Sequence, residues 1–104
     1  MTLESLTHES LAENLHTKFR VPVESGEPFE LELIEISEKR RVKDTENFSA
    51  FFRGGPGFLL QQCIHHLEHE RLGEFDLFLV PIAREADGFR YEAIFNRVLP
   101  EAQD

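Results

Sequence analysis

Apolar and polar positions change period several times along the chain, and each change marks an element. Near the N-terminus Leu11 and Leu15 stand four apart, with Leu3, Leu6 and Ala12 around them. That spacing predicts a short helix over 5–15. Ser5 or Thr7 can cap its start, and Glu9 suits the positive end of the helix dipole. From Thr17 the period drops to two: Phe19, Val21 and Val23 alternate with Lys18, Arg20 and Pro22, the pattern of a strand with one covered face. Pro22 has no amide donor, which places this strand at a sheet edge or beside a bulge. Glu24–Pro28 is a turn by composition, and beyond it Phe29, Leu31 and Leu33 alternate with Glu30 and Glu32, so the two strands read as a hairpin. After Leu33 the apolar phase slips to Ile34 and Ile36, as a β-bulge or a strand between two apolar layers would require.

Lys39–Asn47 is polar without a period and reads as a loop; Phe48–Arg53 is a third strand, ended by Gly54-Gly55-Pro56-Gly57. Gln61–Glu70 can alternate as a strand or wind as a helix with Ile64 and Leu67 on one face. Its context selects a strand, because Leu72-Gly73 follows as a turn and Phe75–Ile82 is an almost continuous apolar run of strand length. Such a run predicts a central strand. Asp87-Gly88 marks a hairpin turn, after which Phe89, Tyr91, Ala93 and Phe95 alternate with polar neighbours up to Asn96. Six strands and one short helix predict a mainly β fold, a compact six-stranded antiparallel barrel or two-layer sandwich, in a single domain 1–104 with its β-domain at 17–96 and a polar tail at 97–104.

Composition narrows the function classes. The 104 residues carry 20 acidic and 11 basic side chains, a net charge of −9, which repels phosphate and argues against nucleic-acid binding. The basic run Lys39-Arg40-Arg41 with Lys43 fits a solvated strand end or loop. Cys63 is the one cysteine, so no intramolecular disulfide can form, as expected of a reducing, cytoplasmic setting. No apolar run approaches the ~20 residues of a membrane span, and no signal-peptide pattern opens the chain.

Candidate chemistry concentrates in His65-His66-Leu67-Glu68-His69-Glu70. His65 to His69 formally matches the His-x-x-Glu-His pattern of certain zinc proteases, which requires a helix and a third ligand. On a strand, His65 and His69 share one face with Leu67, while His66, Glu68 and Glu70 share the other. The candidate metal ligands are therefore His65, His66, Glu68 and His69, with the i,i+2 pair His66 and Glu68 able to hold a divalent ion if a neighbouring strand adds ligands. The plainer reading is a solvated face whose glutamates pair with arginines across the sheet. The glycine cluster lacks the lysine and hydroxyl residue of a P-loop, no serine sits in a nucleophile elbow, and Cys63 reads as a small core residue. Phe48, Phe51, Phe52 and Phe58 read as core. No catalytic residue and no cofactor is expected, which leans away from an enzyme.

Three stretches carry a resemblance: Met1–Ser10, Leu67–Gly73, and Phe78–Ile82 with Gly88–Asn96. Together they resemble a family of short bacterial proteins of about this length whose domain has no assigned function; 54–63 departs from that pattern. The resemblance implies bacterial origin, an independent small domain and genes near phage-tail-like or tail-collar proteins. The resulting expectation is a non-enzymatic interaction or assembly module that binds a protein partner or itself, with metal or small-ligand binding at His65–Glu70 as the alternative.

Overall fold

In the computed structural model, which describes residues 6–23, 29–57 and 59–98, helix α1 is only His8–Ala12. A reciprocal cap fixes its start: Thr7 Oγ1 accepts from the Ser10 amide at 3.0 Å, and Ser10 Oγ accepts from the Thr7 amide at 2.9 Å. The chain then leaves the helix through a turn ending at His16, whose φ is 69°. This turn, rather than a further helical turn, brings Leu15 against the core beside the fully buried Leu11. Ser5, the other capping candidate, lies outside the described residues.

Seven strands follow: β1 Lys18–Val21, β2 Phe29–Ile36, β3 Arg40–Val42, β4 Thr45–Gly54, β5 Cys63–His69, β6 Gly73–Glu85 and β7 Gly88–Val98. Neighbours run β2-β1-β5-β6-β7-β4, all antiparallel, and a β2–β4 pairing closes the ring. The architecture is thus the six-stranded barrel of the two expected alternatives, with β3 as an extra strand on β4. Closure hides strand edges that an open sheet would expose. Its ladders are uneven. β4 and β7 pair from Thr45/Val98 to Gly54/Phe89, whereas β1 meets β5 at the single pair Arg20/Glu68.

The inward face is apolar on every barrel strand, and Phe19, Leu31, Leu33, Phe52, Leu67, Leu79 and Tyr91 are fully buried. Phe19 sits at the centre, edge-on to Phe52 at 5.2 Å and to Phe75 at 6.0 Å between ring centroids. Towards the helix, Phe48 stacks on Phe95 at 4.8 Å. Tyr91 Oη accepts the Leu60 amide at 2.9 Å, which ties the crossover between β4 and β5 to the barrel wall. Gly88, with φ 150°, closes the β6–β7 hairpin at a point where an added Cβ would lie 1.9 Å from the Gly54 carbonyl oxygen.

Several local expectations change. The phase slip at Ile34 is a bulge between Leu33 and Glu35 opposite Phe52 and Phe51. Lys39–Asn47 is not a loop: Val42 pairs with Thr45 around a two-residue turn, with Lys43 at φ 57°. Periodicity could not reveal β3 because all three of its residues are exposed. Pro22 follows the end of β1, and the turn 24–28 lies outside the described residues. Phe75–Ile82 lies between two neighbouring strands, as expected of a central strand, and only one of its two apolar faces is covered. Phe75, Leu77 and Leu79 point inward, while Phe78 and Ile82 face outward and are exposed. Cys63 is exposed at the start of β5 rather than buried in the core. Phe48 and Phe52 are core, Phe51 is half-buried on the outside beneath Arg90, and Phe58 lies outside the described residues. Arg97 and Val98 belong to β7, and the rest of the polar tail is likewise undescribed. Among the described residues no helix is long and apolar enough to cross a membrane.

Candidate functional site

The outward face of β5, β6 and β7 carries the features least explained by folding. Alternation that sends Leu67, Leu77 and Ala93 inward sends Ile64, Phe78 and Ile94 outward, where they are 66%, 49% and 60% exposed. Val98, at the end of β7, is 75% exposed. Ile64 and Phe78 are cross-strand partners, so the apolar side chains form a patch rather than scattered points.

Between β6 and β7 this face is split. Among the described residues the β6–β7 ladder ends at Val80/Glu92, leaving Gly73–Leu79 paired only with β5 and Ala93–Val98 paired only with β4. The strands diverge there into a groove of about 950 Å³ whose wall includes Leu77, Phe78, Ile94 and Phe95, and which the buried Leu6 also lines. Among the described residues the groove-facing backbone N–H and C=O groups of each edge have no ladder partner.

Beside the patch, the β5–β6 register gathers a second group. His66 lies opposite Asp76 and Glu68 opposite Glu74. His66 Nδ1 is 2.8 Å from Asp76 Oδ1, and its Nε2 is 3.3 Å from Glu74 Oε1. One donor atom each from His66, Glu68 and Glu74 falls within 4.8 Å of the others. The hydrogen bond to Asp76, then that to Glu74, raises the His66 pKa above the ordinary imidazole value. Glu68 reaches across the β1–β5 seam to Arg20 at 3.9 Å.

The other two histidines of the segment are placed on the inward side. His69 is buried and has both ring nitrogens engaged. Its Nδ1 accepts the amides of Arg71 at 3.0 Å and Leu72 at 3.1 Å, so Nε2 carries the proton. Thr17 Oγ1 donates to Asn14 O at 2.6 Å and accepts that Nε2–H at 2.8 Å. Burial, then the charges of Arg71 and Arg20, lowers the His69 pKa and keeps the ring neutral. His65 turns to the β5 entry, with Nε2 2.7 Å from Gln61 O and 3.3 Å from Cys63 Sγ. Of the four candidate ligands read from the sequence, the fold therefore brings together His66 and Glu68 and separates His65 and His69 from them. Glu74 and Asp76, which spacing along β5 alone does not reveal, complete the group. The hairpin at Leu72-Gly73 holds the signal for them: a turn that pairs His69 with Gly73 must set Glu68 against Glu74 and His66 against Asp76.

A family model described as Domain of unknown function (DUF6916) matches residues 6–95 of the chain. No curated protein and no solved structure matches it.

Proposed function

The chain belongs to the family of the Domain of unknown function (DUF6916), and we propose that it works as a non-enzymatic interaction module, taking an extended segment of a protein partner into the groove between β6 and β7. The observation that carries this reading is the coincidence of two strand edges that have no ladder partner among the described residues with exposed Phe78 and Ile94 on either side. An added strand gains main-chain hydrogen bonds from an edge and specificity from every second side chain. The occupant is chosen by charge. Asp76 lines the groove from β6 and Arg97 from β7, with the Glu68 and Glu74 pair further along the β5–β6 ladder, on a chain of net charge −9. A segment alternating apolar residues with lysine or arginine complements that rim, and a nucleic-acid phosphate does not. A reducing, cytoplasmic setting suits a chain with one cysteine, exposed and free.

Selection from displayed random peptides tests this reading, with the Ile94→Arg protein as counter-selecting bait. Alternating apolar and basic sequences that bind the parent and are lost on Ile94→Arg support it. Peptides insensitive to Ile94→Arg, or none at all, overturn it, as does a stable homodimer dissolved by Ile94→Arg, which would make a second copy the occupant.

A further inference from the structure

We infer that His66, Glu68 and Glu74 form a zinc-binding site on the outer face of β5 and β6, with Asp76 as the residue that orients the imidazole. The inference is independent of the groove. Tetrahedral zinc holds nitrogen and oxygen ligands at about 2.0–2.1 Å, which sets two of them roughly 3.3 Å apart. His66 Nε2 and Glu74 Oε1 already stand at 3.3 Å, the edge of such a tetrahedron. On the far side of the ring, Asp76 accepts from Nδ1 at 2.8 Å, the carboxylate–histidine arrangement that leaves Nε2 facing a metal. From β5, Glu68 offers a carboxylate oxygen within 4.8 Å of a ligand atom of His66 and one of Glu74.

Without an ion, three carboxylates share the His66 ring and Arg20 as their partners. Glu68 and Glu74 are direct cross-strand partners, a like-charge pairing that destabilises a ladder, and Asp76 adds a third carboxylate. Arg20 offsets Glu68 only at 3.9 Å from one side. A divalent cation relieves this repulsion, and the imidazole favours zinc over calcium or magnesium, which prefer oxygen ligands alone. On binding, any proton at His66 Nε2 is released to solvent, two carboxylates and the ring nitrogen ligate the ion, and water fills the fourth position.

Calorimetry of the untagged full chain with zinc chloride, repeated with calcium chloride, decides the matter. The expected result is one zinc per chain and no comparable calcium binding. Affinity should fall at least tenfold for His66→Ala and Glu74→Gln and about tenfold for Asp76→Asn, and stay unchanged for His65→Ala. Circular dichroism should show all four variants folded, since these side chains lie on the surface. Absence of zinc binding, equal binding of zinc and calcium, or affinity unaffected by His66→Ala overturns the assignment.

Discussion

Removing His69 breaks several contacts of the barrel at once, and the cost can be worked from them. The ring accepts two turn amides at 3.0 and 3.1 Å, donates to Thr17 and packs on Phe19 at 4.3 Å between centroids. His69→Ala leaves the Leu72 amide buried without an acceptor, worth ~1–3 kcal/mol. It also removes a ring pair worth ~0.5–1.5 kcal/mol. With the space left in the wall, the loss should come to about 3–5 kcal/mol. His69→Asn keeps an acceptor where Nδ1 stands and should cost about half as much. Because folding lowers the His69 pKa, the neutral ring's contribution is fully present above the ordinary imidazole value near 6.5 and is lost as pH falls towards the folded-state value. Urea unfolding between pH 5 and 8 measures all three effects: the parent should lose stability on acidification more steeply than His69→Asn. A cost below ~1 kcal/mol for His69→Ala, or equal pH slopes for parent and His69→Asn, would refute the structural role of this ring.

Three further outcomes follow from single contacts. Gly88→Ala forces a Cβ to 1.9 Å from the Gly54 oxygen at a φ of 150°, and should cost more than ~3 kcal/mol or abolish soluble expression. Tyr91→Phe orphans the Leu60 amide and should lower urea stability by ~1–3 kcal/mol. Burial raises the Tyr91 pKa, so its share of stability is complete below about pH 10 and lost as pH rises further; Tyr91→Phe should flatten that alkaline loss. Phe78→Ser, on the outer face, should leave the unfolding free energy from urea titration within ~0.5 kcal/mol of the parent while removing peptide binding at the groove.

The barrel was legible wherever one face of a strand is buried and the other wet. Phe19 and Val21, Leu31 and Leu33, and Tyr91 and Ala93 alternate cleanly, and both the bulge after Leu33 and the Asp87-Gly88 turn stand in the sequence. The run Phe75–Ile82 marks a central strand without showing which of its faces is covered. An apolar run says that both faces dislike water, not that both are covered, and the outward side chains here have no layer above them among the described residues. The divergence of β6 from β7 is a property of strand paths, which side-chain periodicity does not encode. For the metal-ligand group, spacing on β5 disclosed His66 and Glu68, while Glu74 and Asp76 depended on the hairpin register. His69 shared the histidine pattern, yet burial beside Phe19 and two turn amides commit it to structure.

Residue-resolved amide hydrogen exchange of the free protein tests the open groove most directly. In antiparallel strands about half of the amides point to each neighbour. The amides of Glu74–Leu79 and Ala93–Val98 that face the groove should exchange rapidly, alternating with protected ones bonded to β5 and β4, while the Val80–Glu85 and Gly88–Glu92 ladder stays protected. Uniform protection along both strands would mean that β6 and β7 pair over their whole length, and the proposed docking edge would not exist.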